Sequence, residues 1–203
     1  MPLLNEYETL YWDKGCTIAG IDEVGRGPIC GPLVVAGVIL PIGYQNELIN
    51  DSKKLSEKKR KLLYDEIIEI ASVYCIKIVS PREVDALNIY RATQLAMEEI
   101  ADELKADYVV TDAMPLLNGI KHTKIIKGDQ KSISIAAASI VAKVIRDKIM
   151  DEYHEIYPEY GFNKHKGYPT KHHLAMLEEH GILPIYRFTY KPCQKYTCIS
   201  LDI

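Results

Sequence analysis

Carboxylate side chains follow apolar segments at three separate places in this 203-residue chain. Asp22 and Glu23 follow the segment CTIAGI, Asp112 follows YVVT, and Asp129 follows KIIKG. Acids that are distant in sequence can converge when the strands before them end near one another in a sheet. Four carboxylates held close repel one another unless cations lie among them, and an all-oxygen ligand set suits Mg²⁺ or Mn²⁺. Two such ions can bind phosphate, activate water and stabilise a leaving oxygen.

Each acid taken singly has a simpler explanation, because most carboxylates are solvated or cap helices. Asp22 and Asp112 fit that explanation least, since each follows a run typical of a buried strand. Asp22 and Glu23 would point to opposite faces of a regular strand, so we expect the strand to twist or end there, which Gly25 permits. Paired carboxylates can also hydrolyse glycosides without a metal, if one has a raised pKa and the other an ordinary one.

The triplet Gly25-Arg26-Gly27 comes directly after the first acids. An ordinary turn between two strands would explain it. As a binding element, its glycines would let the backbone approach a small hydroxyl or phosphate group, and Arg26 could bind a phosphate. The chain lacks GxxxxGK[ST], and GxGxxG does not fit here, so nucleotide binding in the usual cradles is not expected.

Five segments have the composition or alternation of strands, and several of them end in the acids. The last but one, DYVVTDAMP, is stopped by Pro115. The five segments are 16–23, 33–40, 72–80, 107–115 and 122–129.

Segments with helical periodicity lie between these predicted strands and after the last of them. One predicted helix begins at Ser56 and has one apolar face formed by Leu62, Leu63, Ile67 and Ile70. Another covers 88–104, a long Ala-rich helix runs from Ser132 to about Tyr157, and a last one runs from Thr170 to about His180 and is closed by Gly181. This order predicts one α/β domain with a mixed sheet and a helical, loop-rich C-terminal segment.

Length and composition limit the class of protein. The chain can bury a sizeable core without disulfides, and its five cysteines form an odd set without a CxxC pair. Its first residues include Glu6 and Glu8 instead of a secretion signal, and its most apolar stretch, 33–40, is far shorter than the ~20 residues that span a bilayer. We therefore expect a cytoplasmic, monomeric protein without a membrane role.

The net charge is −3, but the charges are segregated along the chain. Residues 1–50 contain two basic and six acidic residues, whereas 121–148 contain seven basic and two acidic ones. Residues 164–195 contain six basic and two acidic residues. A single basic cluster is most often solvated surface, but several of them are also the pattern of a surface that binds nucleic acid.

Five long motifs resemble those of bacterial ribonuclease HII, in the order of that family and over most of the chain. They are GIDEVGRGPICGPLVVAGVIL, INDSKKLSEKKR, VVTDAMP, KGDQKSISIAAASIVAKVIRDKIM and GFNKHKGYPTKHH. The resemblance implies a ribonuclease H-like fold, with a mixed five-stranded sheet flanked by helices and a helical C-terminal segment. We expect a single catalytic domain over 1–203, with a core over about 15–157 and a substrate-contacting segment over about 158–203.

The resemblance also implies an activity. This is endonucleolytic cleavage of the RNA strand of RNA/DNA hybrids, and incision 5′ of single ribonucleotides embedded in duplex DNA, which leaves 5′-phosphate and 3′-hydroxyl ends. Two Mg²⁺ or Mn²⁺ ions would act in the active complex. The absence of an added N-terminal substrate-binding domain, together with Arg26, favours type HII over the related type HIII.

The resemblance assigns roles to individual residues. The metal-binding acids of the family fall on Asp22, Glu23, Asp112 and Asp129. The triplet that senses the ribose 2′-hydroxyl falls on Gly25, Arg26 and Gly27, and the tyrosine that recognises the RNA-to-DNA junction falls on Tyr168. Positions near the nucleic-acid backbone fall on Lys53, Ser139 and Lys143.

Other motif residues are expected to be structural. Asp147 follows Arg146 inside the long predicted helix, and we expect it to form an ion pair instead of binding metal. His172, His173 and His180 are expected on the surface or in the last turn of their helix. The segment Ile29-Cys30 and the tail PCQKYTCISLDI are not distinctive.

Two other function classes remain at this point. A metal-free glycoside hydrolase would keep its activity in EDTA. A non-catalytic protein that binds hybrids would bind them equally well with and without Mg²⁺, although an acid cluster would hinder the approach of phosphate.

Overall fold

A five-stranded mixed sheet forms the centre of the molecule. The computed structural model describes residues 4–49, 52 and 55–196. In the order β3-β2-β1-β4-β5, β1 is antiparallel to β2, β2 is antiparallel to β3, and β1, β4 and β5 are parallel. The five strands are β1 (Ile18–Val24), β2 (Leu33–Ile39), β3 (Val73–Val79), β4 (Tyr108–Asp112) and β5 (His122–Ile125). The predicted mixed sheet is thereby confirmed.

Helices cover both faces of the sheet and form the C-terminal segment. Short 3₁₀ turns at Gly128–Gln130 and Pro158–Tyr160 flank α5. Within the described ranges the helices are α1 (Glu6–Trp12), α2 (Glu57–Ile70), α3 (Pro81–Leu87), α4 (Ile89–Leu104), α5 (Ile133–Ile156), α6 (Phe162–His165), α7 (Lys171–His180) and α8 (Lys191–Gln194). None of these helices is both long and apolar enough to cross a bilayer.

Two apolar cores lie on opposite faces of the sheet because successive strand residues alternate. In β2, Val34 and Ala36 belong to the core beneath α5 and α2, whereas Leu33 and Val35 belong to the core beneath α4. All seven residues of β2 are buried, which explains why its sequence is an unbroken apolar run.

Helix α5 lies unusually close to β1. A Cβ atom added to Gly20 would lie 2.1 Å from the carbonyl carbon of Ser134, so the first turn of α5 is in backbone contact with the strand. The alanines Ala136, Ala137 and Ala138, which are fully buried, continue this close packing. The backbone contact fixes where the N-terminal end of α5 meets the strand that carries Asp22.

The C-terminal segment has a small core of its own. Tyr160, Phe162, Leu177 and Tyr186 pack there against Ile29, Cys30 and Met150. The segment therefore packs on the β1–β2 loop and on α5. The proposed division at about residue 158 stays a prediction, and the last seven residues of the tail lie outside the described residues.

The structure corrects the expected surface position of His173. Its side chain is fully buried, Nδ1 lies 2.8 Å from the Tyr168 carbonyl oxygen, and Nε2 lies 2.7 Å from the Tyr186 hydroxyl. Burial lowers its pKa to about 4. His172 and His180 are exposed, as expected.

Two helices longer than one turn were not expected from the sequence. Helix α3 begins at a capping box in which Ser80 and Glu83 bond reciprocally, with Pro81 in the first turn. Helix α1 has only seven residues, too few to show a clear period. The apolar face of α2 is also narrower than expected, since Leu63 and Ile67 are buried but Leu62 is 62% exposed.

Candidate active site

Asp22 and Asp112 lie side by side on the two central parallel strands. The register pairs Ile21 of β1 with Thr111 of β4, so the next residues along the two strands are Asp22 and Asp112. Adjacent strands are about 4.8 Å apart. Asp22 is buried and Asp112 is partly exposed. The sheet thus brings together two acids that are 90 positions apart in the sequence.

Asp129 lies in the turn between β5 and α5. The N–H of its neighbour Gly128 donates a 2.8 Å hydrogen bond to Asp112 Oδ1. A Cβ atom added to Gly128 would lie 3.5 Å from the Asp112 α-carbon, so the turn packs closely on the end of β4. Asp129 itself is buried. The turn therefore places the Asp129 backbone beside Asp112.

The sequence predicted that the strand twists or ends at Asp22, and of these two alternatives the end is not observed. β1 continues to Val24 because Glu23 and Val24 still pair with Val35 and Val34 of β2. The side chains keep alternating, so Asp22 faces α5, where Ser139 forms a hydrogen bond with it, and Glu23 starts on the opposite face. The two carboxyl groups are nevertheless close enough for the negative charge of Glu23 to raise the pKa of Asp22.

Burial and mutual repulsion perturb these carboxyl groups. The pKa of Asp22 is raised well above its ordinary value, first by burial and then by the negative charges of Glu23 and Asp112. Burial also raises the pKa of Glu23 to about 7, with a further contribution from Asp112, while the Arg26 guanidinium acts in the opposite direction. Both Asp22 and Glu23 therefore feel the negative charge of Asp112, and burial together with that charge disfavours the ionisation of these two carboxyl groups.

The carboxylate oxygens of these acids are ligands that suit a divalent cation, although the side chains are not arranged around a common metal position. Glu23 Oε2 is buried and has no hydrogen-bond partner among the described residues. Within the same part of the chain, no three His, Cys, Asp or Glu side chains are arranged to hold a metal ion. Glu23 Oε1 is held by Arg26 Nη1 at 3.3 Å, and Asp22 Oδ1 accepts a bond from the Glu23 N–H at 2.7 Å. The Asp22 and Glu23 carboxylates would have to rotate away from these hydrogen-bond partners to bind an ion.

The loop over residues 25–31 follows β1 and lies against the C-terminal segment. Gly25 has φ +108°, and a Cβ atom there would lie 2.4 Å from Arg146 Nε, so the position requires glycine. A Cβ atom on Gly27 would lie 3.3 Å from the Tyr168 ring. The structure therefore brings the predicted triplet and the predicted tyrosine together, with Arg26, Gly27 and Tyr168 all exposed.

The remaining predicted residues occupy different environments. Ser139 is buried, 3.0 Å from the Ser52 hydroxyl and hydrogen-bonded to Asp22. Lys143 is partly buried and donates a 2.7 Å bond to Asp147, which also lies 3.8 Å from Arg60. These ion pairs agree with the structural role expected for Asp147. Lys53 lies outside the described residues.

Two fully buried arginines hold the loop and were not expected to do so. Arg146 donates to the carbonyl oxygens of Pro32, Lys166 and Cys30. Arg187 donates to those of Arg26, Pro28 and Gly31. Arginine among apolar neighbours, as in VAKVIRDKIM and ILPIYRFTY, is the sequence signal that could have found them.

Solved structures with the same architecture define the class. The ribonuclease H2 of Pyrococcus horikoshii OT3 is similar with a TM-score of 0.74 at 27% identity, over 89% of this chain and 96% of that one. Bst-RNase HIII, solved in complex with Mn²⁺, is similar in fold with a TM-score of 0.67 at 14% identity, over 94% of this chain and 73% of that one. The fold is that of the ribonucleases H, which are metal-dependent nucleases.

Sequence comparison narrows the class to one family. The family model described as Ribonuclease HII matches residues 19–193. The ribonuclease HII of Bacillus cytotoxicus is 51% identical over 192 residues, which are 93% of this chain and 74% of the relative. The chain belongs to the ribonuclease HII family, whose enzymes cleave RNA in RNA/DNA hybrids and act in the excision of ribonucleotides from DNA.

Proposed function

We propose that this enzyme incises duplex DNA on the 5′ side of an embedded ribonucleotide and cuts the RNA strand of hybrids at the same site, leaving 5′-phosphate and 3′-hydroxyl ends. The observation that carries this proposal is the juxtaposition of two features. Asp22 and Asp112 lie on neighbouring strands, and the loop that leaves the same end of β1 carries the exposed Gly27, which lies beside the exposed Tyr168 of the C-terminal segment.

In the proposed site, Asp22, Glu23, Asp112 and Asp129 hold two Mg²⁺ or Mn²⁺ ions. Their oxygens are hard ligands of the type these ions prefer, and Glu23 Oε2, which has no hydrogen-bond partner among the described residues, would be available to bind one of the ions. When bound, divalent ions lower the pKa of water and stabilise a departing 3′ oxygen. Positive charge there would offset the burial, and the repulsion between neighbouring acids, that raise the pKa values of Asp22 and Glu23.

Recognition of the ribonucleotide is assigned to the loop and the tyrosine beside it. The 2′-hydroxyl is the group that distinguishes RNA from DNA at one nucleotide. Backbone groups of Gly25, Arg26 and Gly27 would contact it, because glycines allow a close approach. The Tyr168 ring would lie beneath the following sugar, where an added hydroxyl would crowd it. The substrate step selected in this way is RNA followed by DNA.

Basic residues would hold the phosphate backbone. Lys53 and Lys143 are assigned there by the family resemblance, and Lys143 would have to share its charge with Asp147. Ser139 is buried under Asp22, so its contribution would be to position that carboxyl group. A monomer would bind the duplex, and the affinity would fall with salt because phosphate contacts release counterions.

The testing experiment uses a duplex that contains one ribonucleotide. Incubation with Mg²⁺ should produce one nick 5′ of that ribonucleotide, with 3′-hydroxyl and 5′-phosphate ends, and EDTA should abolish it. An all-DNA duplex of the same sequence is the control. A nick on the 3′ side, or activity that survives EDTA, would contradict the proposal, and the second result would favour a metal-free hydrolase.

A further inference from the structure

Two side chains of the C-terminal segment bind one carbonyl oxygen of the 25–27 loop. The Tyr190 hydroxyl donates a 2.8 Å hydrogen bond to the Arg26 carbonyl oxygen, and Arg187 Nη1 donates a 3.2 Å bond to the same atom. Arg187 Nη1 also donates to the Tyr190 hydroxyl at 3.0 Å. The three groups form a closed triangle in which Arg187 and Tyr190 are each more than 160 positions from Arg26 in the sequence.

This triangle also sets the direction of a neighbouring donor. The Arg26 carbonyl and the Gly27 N–H belong to one planar peptide group, and in a trans peptide they point in opposite directions. Because two donors hold the Arg26 carbonyl oxygen, the direction of the Gly27 N–H is fixed as well. Gly27 is exposed, and among the residues that the structure describes its N–H has no hydrogen-bond acceptor. The loop thus presents one oriented, unpaired donor to solvent.

The oriented donor lies where a sugar would be recognised. Gly27 is in contact range of the exposed Tyr168 ring, since an added Cβ atom would be 3.3 Å from it. Arg187 itself is rigidly held, because it also bonds the carbonyls of Pro28 and Gly31 and its backbone N–H donates to Ile29. Tyr190 is fixed in turn by its contact with the Arg187 guanidinium, 5.2 Å from its ring centre.

We propose that Tyr190 and Arg187 are positioning residues for ribose discrimination: by holding the Arg26 carbonyl they aim the Gly27 N–H at the 2′-oxygen of the ribonucleotide. Neither side chain touches the substrate. The inference rests on the proposed function, in which the loop recognises the 2′-hydroxyl. It adds that this recognition depends on Arg187 and Tyr190, which lie outside the motifs that carry the family resemblance.

The decisive variant is Tyr190→Phe, which removes one hydroxyl and keeps the ring. Binding to a duplex with one ribonucleotide and to the same duplex in all-DNA form is measured by fluorescence anisotropy in EDTA, so that neither duplex is cut. We expect the ratio of the two affinities to fall roughly tenfold, as for one misaligned hydrogen bond. The affinity for all-DNA duplex should not change. In Mg²⁺, kcat/KM on the ribonucleotide substrate should fall by a similar factor.

Tyr196→Phe is the matched control. It removes a hydroxyl from the same segment, but that hydroxyl bonds Glu178 and not the loop. It should leave both affinities unchanged. Arg187→Lys is a second variant that retains the charge and loses the planar donor fork, and it should lower the affinity ratio as well. A merely structural role of Tyr190 would weaken binding to both duplexes equally, and that result would overturn the proposal.

Gly27→Ala separates this inference from the proposed function. If wild-type protein discriminates and Gly27→Ala does not, the loop recognises ribose, and Tyr190→Phe alone decides the inference. A ratio unchanged in Tyr190→Phe would then overturn the positioning role and leave the loop assignment intact. A ratio unchanged in Gly27→Ala would overturn the loop assignment, and the positioning role with it.

Discussion

Buried charge is handled in opposite ways at two neighbouring places in the molecule. At the end of β1 and β4, Asp22 is buried and Glu23 is partly buried near Asp112, and one buried Glu23 oxygen has no partner in the described part of the chain. In the adjacent loop, Arg146 and Arg187 are fully buried and each donates to three carbonyl oxygens. The acids are only partly compensated by hydrogen bonds and by Arg26, whereas the arginines have several hydrogen-bond partners each.

This difference distinguishes the candidate active site, which contains the acids, from the arginines that support the neighbouring loop. A buried charge that lacks partners lowers stability, so it persists where a ligand is to be bound. A buried charge with all its hydrogen bonds made holds the surrounding backbone in one arrangement. Carbonyl acceptors are well suited to this second use, because they leave the positive charge near the loop that is proposed to meet a phosphate backbone.

Asp112→Asn should have the largest effect on activity. It removes a ligand of the proposed cations, so cleavage of a ribonucleotide-containing duplex in Mg²⁺ should fall on the order of 1,000-fold. The thermal midpoint without metal should hold or rise, since one repelling charge near Asp22 is removed. Nicking assays and melting curves measure the two. Full activity of this variant would remove Asp112 from the site.

Arg146→Met should have the largest effect on stability. The substitution leaves the carbonyls of Pro32, Cys30 and Lys166 without their donor, which should lower the free energy of unfolding by about 3 kcal/mol. Urea denaturation measures it. Lys148→Met on the same helix, at an exposed position, is the control and should change stability by under about 0.5 kcal/mol. Equal losses in the two variants would contradict the scaffold role.

The buried His173 of the C-terminal segment should make the stability of the folded protein sensitive to acid. Its pKa is lowered from 6.5 to about 4, so between these values the unfolded chain binds a proton that the folded protein excludes. The contribution of His173 to stability is therefore fully present above about pH 6.5 and is lost as the pH falls, with a loss that reaches about 2 kcal/mol at about pH 5 and continues to grow toward pH 4.

Denaturation of wild type, His173→Gln and His172→Gln at several pH values checks this. The His173 variant should be less stable at neutral pH and should lose less stability on acidification. The His172 variant should follow wild type, because that side chain is exposed. Parallel curves for wild type and His173→Gln would show that another group causes the acid sensitivity.

Asp147→Asn should have the smallest effect. It weakens the partly buried pair with Lys143 and the longer contact with Arg60, which should cost about 1 kcal/mol or less. Nicking activity in Mg²⁺ should stay within a few-fold of wild type. A loss as large as that of Asp112→Asn would place Asp147 among the acids of the site and not among its supports.

Much of the fold was predictable because its signals are local. The buried run of β2, the Ser56 and Ser132 caps and the Gly181 stop each identify an element within a few residues. Convergence of Asp22 with Asp112 followed from strand ends meeting in a sheet. The capping box at Ser80 was also present in the sequence, so α3 could have been predicted.

The parts that were missed depend on pairing across the fold. The burial of His173 is decided by Tyr186, and the role of Arg187 is decided by carbonyl oxygens. Every residue has a backbone carbonyl group, so the sequence does not indicate which carbonyl oxygens accept these hydrogen bonds. The predicted site assignments themselves await the experiments above.

Helix α5 has one consequence for where the strand is cut. Ser139 on this helix supports Asp22, and Arg146 on the same helix supports the 25–31 loop. Seven residues of α-helix span about 10 Å, and a helix does not stretch. Helix α5 therefore sets a fixed distance between the place where the sugar would be recognised and the place where the phosphodiester would be cleaved.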